Sequence, residues 1–204
     1  FSDVPLNATF IAGDDVFYAV GVRYRGESSR LITPKSYRVD FTDDEEFDGT
    51  KHLNLNANKP QHQHVGMQVF RGANVPASLT RPVRLLFGTD AELTYTRMEE
   101  VDEDFLRRYY SSPADEDEGN LYRGVDSGDL DYRGTNKESY RPSYKKETNE
   151  EVDDWSDLID LSDKLTNTPA ANLPSVLPAS IDVEEWVRFF AVHTLLSTQE
   201  GGIY

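Results

Sequence analysis

A cluster of residues suited to binding phosphate lies near the start of the sequence. Cationic side chains, serine hydroxyls and a glycine occur together within thirteen positions: Arg23, Arg25, Gly26, Ser28, Ser29, Arg30 and Lys35. A glycine turn lets backbone N–H groups approach a phosphate, hydroxyls add donors, and a lysine on the following strand supplies a point charge. The pattern indicates a phosphate or nucleotide site, and the alternative is an ordinary hairpin with a solvated basic edge.

The rest of the chain is acidic, which makes this cluster unusual. The 204 residues contain 37 Asp and Glu against 21 Lys and Arg, giving a net charge of −16. Such a surface repels nucleic acid and anionic lipid, so neither is predicted as a partner. The acidity by itself favours solubility, or an environment rich in salt or divalent cations.

Several absences in the sequence limit its class. There is no cysteine, so structural disulfides and thiolate metal sites are excluded. No apolar run approaches the ~18 residues that indicate a membrane span. The start, FSDVPLNATF, lacks an initiator Met and a signal-peptide pattern, and the end, LLSTQEGGIY, stops where a further strand is expected. We therefore expect the chain to be part of a longer protein.

The first half has the pattern of an antiparallel sheet with one helix. Residues 16–41 alternate as two strands joined by a tight Gly/Ser turn, and HLNLNAN continues as a third strand. RPVRLLFGTDAELTYTRMEEV predicts a hairpin around GTD. Between them, QHQHVGMQVFRGANVPA has helical spacing of its apolar residues and ends in Gly, Asn and Pro. A five-stranded antiparallel sheet carrying one helix is predicted.

The second half is predicted to be mainly helical. DEDFLRRYY indicates a short amphipathic helix, and residues 120–146 indicate an ordered but irregular segment. NEEVDDWSDLIDLSDKLTN and DVEEWVRFFAVHTLLS predict two more helices, the second beginning after an Asp N-cap. The fold class is therefore α+β, with a sheet lobe over about residues 1–99 and the start of a helical lobe over residues 100–204.

This order of motifs resembles the CotH kinase family, the spore-coat protein H group of atypical protein kinases. The resemblance spans nearly all of the chain through VGVRYRGESS, PKSYRVDF, LNLNAN, FRGANVPAS, RMEEVDEDFL, EGNLYRG, NEEVDDWSDLI and DVEEWVRFFAVHTLL. It implies an atypical protein-kinase-like fold. It also implies an ATP- and Mg²⁺-dependent enzyme that transfers the γ-phosphoryl group to Ser or Thr of a protein partner.

The resemblance assigns roles to residues on the sheet side. It places Arg25, Gly26, Ser28, Ser29 and Lys35 in the nucleotide-binding lobe. In kinases a helix Glu holds the strand Lys, and the corresponding position here is Gln63, which we expect to face Lys35. Gln can hydrogen-bond an ammonium but cannot neutralise it. The main chain of Glu99, Glu100 and Val101 is expected to meet the adenine.

The catalytic carboxylates are the weakest part of the resemblance. The family carries an Asp shortly after the last helix, where this chain has Glu200, which either replaces that carboxylate or merely solvates the helix end. The family's later magnesium-binding segment has no counterpart, so the metal ligands are unknown. The alternative function is a degenerate kinase-fold module that serves as a structural or binding protein on a cell, spore or extracellular surface.

Overall fold

The computed structural model describes residues 3–26, 28–110, 119–125 and 127–197. The chain divides into two units, which are described separately. The first comprises Phe1–Gly72 and Pro76–Glu100, and the second comprises Ala73–Val75 and Val101–Tyr204.

The first unit is a six-stranded antiparallel sheet with one helix among its described residues. The strands are β1 (Leu6–Ala12), β2 (Asp15–Tyr24), β3 (Tyr37–Asp40), β4 (His52–Asn56), β5 (Thr80–Leu85) and β6 (Leu93–Met98), in the spatial order β1-β2-β3-β4-β6-β5. Helix α1 (Pro60–Gly72) packs against β5 and β6. The five predicted strands and the helix are present, and β1, which pairs with β2, is an additional strand.

The two faces of this sheet have opposite chemistry because successive side chains of a strand point to opposite sides. One face carries the apolar core, which is built from Val20, Val39, Phe41, Leu53, Leu55, Ala57 and Tyr95. The alternate residues form the other face, which we call the polar face. Its central row runs across five strands through the register partners Arg23, Arg38, Asn54, Met98 and Thr80.

Helix α1 lies over the polar face of the sheet. Thr96, in β6, donates a hydrogen bond from its hydroxyl to the carbonyl oxygen of Pro60 at 2.6 Å. Asn56, the register partner of Thr96, donates its side-chain amide to Gln63 of α1 at 3.0 Å. The helix therefore covers polar side chains of β4 and β6, whereas the apolar core lies on the opposite face.

The connection between β2 and β3 is longer than the predicted tight turn. It contains a 3₁₀ helix, Ser28–Leu31, and the main-chain hydrogen bond from Arg25 N–H to Ser36 C=O closes its base at 2.8 Å. Lys35 lies in this connection, so its predicted place on the following strand is wrong. Pro34 precedes it and has no N–H to donate to a strand ladder, which is consistent with β3 beginning only at Tyr37.

The second unit combines helices with a small sheet. Its described elements are α2 (Glu103–Tyr110), β7 (Tyr122–Gly124), β8 (Tyr144–Lys146), α3 (Ser156–Asn167), α4 (Leu173–Val176) and α5 (Val183–Leu196). Strands β7 and β8 pair antiparallel inside the segment predicted as irregular. A buried cluster of Tyr140, Tyr144, Trp155 and Leu158 joins this small sheet to α3.

The helix boundaries of the second unit agree with the sequence at one helix and differ at another. The side chain of Asp182 caps α5 as predicted, accepting a hydrogen bond from Glu185 N–H at 2.9 Å. Helix α3 begins at Ser156, later than predicted, because Asn149 and Asp153 have positive φ angles that a helix does not accommodate. The fold class is α+β, as predicted. None of the helices within the described ranges combines the length and apolar character that crossing a bilayer requires.

Candidate phosphate-binding site

Arg25 contacts the polar face from a position immediately after the end of β2. Its Nε donates to Asn54 Oδ1 at 2.9 Å, and its Nη1 donates to Asn56 Oδ1 at 2.6 Å. Both asparagines are buried, with exposed fractions of 3% and 6%. Two buried amides therefore fix the plane of the guanidinium, in the part of the sequence where phosphate chemistry was predicted.

The amide of Asn56 links this arginine to α1. Its nitrogen donates to Gln63 Oε1 at 3.0 Å and approaches Met98 Sδ at 3.7 Å. Gln63 therefore lies on the predicted helix, but its hydrogen-bond partner is Asn56. The predicted partner, Lys35, instead donates from its Nζ to the carbonyl oxygen of Arg30 at 2.6 Å.

Lys35 stabilises the connection between β2 and β3. Besides its hydrogen bond to Arg30, the ammonium lies over the Tyr24 ring, 6.0 Å from the centroid. These contacts hold the 3₁₀ helix against the end of β2. Contact of Lys35 with a nucleotide phosphate remains a prediction.

Gly26 follows Arg25 at a position that requires glycine. Its φ is +103°, and a Cβ atom built on it would lie 1.9 Å from Ser29 Oγ. The Ser29 hydroxyl therefore occupies the space beside the glycine Cα, so the two predicted residues are brought together. Ser28 begins the 3₁₀ helix, but its side chain lies outside the described part of the structure, as does Glu200.

A second arginine on the polar face has a different environment. Arg38 donates from Nε to Asp40 at 2.6 Å and from Nη1 to Glu100. Burial lowers the pKa of Arg38, but the hydrogen bonds to the two carboxylates outweigh burial, and the pKa is raised overall. Two carboxylates thus balance the charge of Arg38, whereas Asn54 and Asn56 accept from Arg25 through neutral amide oxygens.

The sequence interpretation missed Asn54, Asn56 and Arg38. The signal that could have identified the two asparagines is the alternation in HLNLN, where Leu53 and Leu55 point into the core. Their neighbours must then share the opposite face. Because β3 pairs with β4 through Arg38 and Asn54, the same alternation places Arg38 on that face.

The residues predicted to meet adenine lie at the end of β6 and just beyond it. Glu99 N–H donates to the Leu79 carbonyl at 2.9 Å, and its side chain accepts from Leu79 N–H at 2.8 Å. The carboxylate of Glu100 accepts from Arg38, and Val101 belongs to the second unit. Their contact with a nucleotide remains a prediction.

The described residues do not supply a ready metal centre. Among them, no three His, Cys, Asp or Glu side chains are grouped so that they could hold a metal ion. Arg25 and Gly26 are the polar-face residues whose chemistry suits phosphate groups, and no described residue is assigned as a ligand of Mg²⁺.

Comparison with known proteins agrees with the sequence motifs. The family described as CotH kinase protein matches residues 22–201. Inner spore coat protein H of Bacillus subtilis (strain 168) is 24% identical over 194 residues, which cover 91% of this chain and 52% of that protein. The chain thus spans about half the length of this curated relative. Since the family match extends over most of the sequence and includes the end of β2 and all of β3–β6, with the arginine and its amides, the chain belongs to the CotH kinase protein family.

Proposed function

We propose that this chain contains the nucleotide-binding part of an atypical protein-kinase-like enzyme. The complete enzyme transfers the γ-phosphoryl group of ATP to Ser or Thr of a protein partner. Membership of the CotH kinase protein family supports the reaction class. The observation that carries the proposal is Arg25, whose guanidinium is held by Asn54 and Asn56 beside Gly26.

Arg25 suits a phosphate because of its geometry and its anchors. A guanidinium presents five donors in a rigid fork that matches phosphate oxygens. The two asparagine oxygens use two of these donors and carry no net charge. They therefore pre-orient the cation while adding no carboxylate that would compete with an anionic ligand.

The other predicted residues complete a binding role for the β2–β3 connection. At Gly26 the absence of a side chain lets the main chain approach a phosphate, and Ser29 supplies a hydroxyl next to it. Lys35 would add a second cation, and Glu99–Val101 would meet the adenine through main-chain groups. ATP supplies the phosphoryl group that is transferred, and the residues named here bind and orient it. Mg²⁺ remains part of the proposal without an assigned protein ligand.

Titration calorimetry with ATP tests the proposal. The parent chain is compared with Arg25→Met and with Arg84→Met, a control that removes an exposed arginine of β5 paired with Glu92. Losing a charge-assisted contact to phosphate is expected to weaken binding about tenfold or more in Arg25→Met, whereas Arg84→Met should bind as the parent does. Equal ATP affinity in the two variants would refute the assignment of Arg25, and absence of binding by the folded parent would refute the proposed function.

A second candidate function is a structural module in a spore or cell-surface layer. The name of the curated relative, an inner spore coat protein, favours it, as does Gln63 in the place of the expected Glu. A structural module would have the same fold but would not bind ATP, so the titration of the parent chain separates the two candidates.

A further inference from the structure

We propose that Gln63 and Asn56 are positioning residues that let α1 set the orientation of Arg25 through uncharged amides. The chain Gln63–Asn56–Arg25 is called the amide relay below. This inference rests on the proposed function for its effect on ATP, but its structural part can be measured without a nucleotide. In other kinases a helix Glu holds a strand Lys, whereas in this chain the helix residue Gln63 contacts Asn56, which in turn contacts Arg25.

The geometry of the relay joins three elements of the first unit. Gln63 lies in the first half of α1, Asn56 ends β4, and Arg25 follows β2. The two hydrogen bonds that connect them measure 3.0 Å and 2.6 Å between heavy atoms. Asn56 is buried, so its amide has few alternative partners in solvent.

The direction of the relay follows from the donors that each group possesses. Arginine can only donate, so Asn56 must turn its oxygen toward Arg25 and its nitrogen toward α1. Gln63 must then present its oxygen, not its nitrogen, to the sheet. A change at Gln63 therefore acts on the amide plane of Asn56, and through it on one of the two anchors of the guanidinium.

Two arginines that contact the polar face, Arg38 and Arg25, differ in the charge of the groups that accept their hydrogen bonds. Arg38, one strand away from β2, is anchored by the carboxylates of Asp40 and Glu100. Arg25 donates to Asn54 and Asn56, and these two amide acceptors carry no net charge. An amide anchor suits an arginine that must bind an anion, whereas a carboxylate anchor suits one that holds the sheet together.

The neutral charge of the Asn56 amide predicts that one substitution can weaken ATP binding while leaving the Arg25 side chain ordered. Asn56→Asp keeps an oxygen acceptor for Arg25 and adds a carboxylate, and Gln63 can rotate its amide to donate to it. Arg25 should then remain ordered while its attraction for phosphate falls. A purely structural role for Asn56 would instead predict unchanged ATP affinity as long as the fold and the arginine remain ordered.

The structural part is tested by nuclear magnetic resonance of the arginine guanidinium N–H groups, Nη–H as well as Nε–H, in the 204-residue chain. The Arg25 signal is assigned by its loss in Arg25→Lys. Gln63→Met removes the acceptor at similar volume, and Gln68→Met is its control on an exposed position of the same helix. We expect faster solvent exchange of the Arg25 Nη1–H, the group that donates to Asn56, in Gln63→Met, no change in Gln68→Met, and restoration in Gln63→Glu, which keeps the acceptor.

The functional part is tested by ATP titration of the same variants. We expect about fivefold weaker binding for Gln63→Met, consistent with one lost hydrogen bond in the relay, and about tenfold weaker binding for Asn56→Asp. The Arg25 signal should persist in Asn56→Asp. Circular dichroism confirms that each variant is folded, and if Gln63→Met does not fold, the comparison of Asn56→Asp with the parent decides.

The outcomes separate this inference from the proposed function. If the parent does not bind ATP, the proposed function fails, and the exchange rate of the Arg25 Nη1–H alone decides the relay. If the parent binds ATP, and Gln63→Met matches Gln68→Met in both exchange and affinity, the relay is refuted. Unchanged ATP affinity in folded Asn56→Asp with an ordered Arg25 would refute the electrostatic part.

Discussion

Replacing Gly26 by alanine is expected to cost more stability than the same replacement at Gly13 or Gly72, two other glycines of the first unit. The φ of +103° is strained for any residue with a Cβ, which costs about 1–3 kcal/mol. The new Cβ would also lie 1.9 Å from Ser29 Oγ, and moving that hydroxyl to a poorer rotamer adds about 1 kcal/mol. We therefore expect Gly26→Ala to lower the free energy of unfolding of the first unit by about 2–4 kcal/mol.

Alanine substitutions at two other glycines of the same unit distinguish the cost of backbone strain from the cost of the contact with Ser29. Gly13 has a φ of +64° and nothing within 4 Å of the point that an alanine methyl group would occupy, so Gly13→Ala should cost only the backbone part. Gly72 ends α1 with neither strain nor a nearby atom, so Gly72→Ala should be neutral or slightly stabilising. Combining Gly26→Ala with Ser29→Ala should recover the part of the cost that comes from the displaced hydroxyl.

The measurement must report on the first unit alone. Both tryptophans, Trp155 and Trp186, lie in the second unit, so their fluorescence does not follow the sheet directly. Hydrogen exchange of peptides from residues 37–56 at increasing urea gives the opening free energy of β3 and β4. If Gly26→Ala cost no more than Gly13→Ala, the close approach of Ser29 Oγ to Gly26 would be refuted.

Three further predictions address the core, the second unit and the connection. Leu53→Ala should destabilise the sheet by about 2–5 kcal/mol, because Leu53 is only 2% exposed. Leu6→Ala on β1 should have little effect, because Leu6 is 74% exposed. Equal hydrogen-exchange rates in the two variants would contradict the assignment of the core face. Hydrogen bonds from Lys137, Trp155 and Arg141 hold the pKa of Asp153 well below its usual 3.8. The stabilisation from this carboxylate is therefore complete above pH 3.8 and is lost as the pH falls through the lower folded pKa. Asp153→Asn should accordingly lower the urea midpoint measured by tryptophan fluorescence near neutral pH. This difference between the variant and the parent should shrink in acid. Lys35→Met should weaken ATP binding, measured by calorimetry, and speed amide hydrogen exchange in the 3₁₀ helix. Faster hydrogen exchange with unchanged ATP affinity would show that this lysine has a structural role only.

The sequence predicted the elements whose pattern is strong and local. Strands β2–β6 and helices α1, α2, α3 and α5 follow from alternation, helical spacing and end signals. Strands β7 and β8 have three residues each, too few to show a period, and they are defined by pairing with each other. Strand β1 alternates only over Leu6–Phe10 before two adjacent apolar residues, and its pairing with β2 defines it as part of the sheet.

The candidate site was predictable in its chemistry but not in its connections. The clustering of Arg25, Gly26 and Ser29 was visible in the sequence, because these residues are neighbours along the chain. The partners of Arg25 come from β4 and, through Asn56, from α1, and such contacts depend on strand register and helix placement. Lys35 lies in the connection before β3 and donates to Arg30, whereas Gln63 accepts from Asn56, and the spacing along the sequence indicated neither contact.

The division of the sheet into an apolar face and a polar face limits how the length of this protein can change. Deleting one residue within β3 would turn the remaining side chains of that strand over, carrying Arg38 toward the core and Val39 toward the polar face. An insertion within β4 would likewise exchange the leucines and asparagines of HLNLN. The cost of lengthening a loop rises only slowly with its size, so residues 86–92, between β5 and β6, are a place where the number of residues can change. Changes in chain length are therefore expected to accumulate between the strands, while the spacing inside each strand stays fixed.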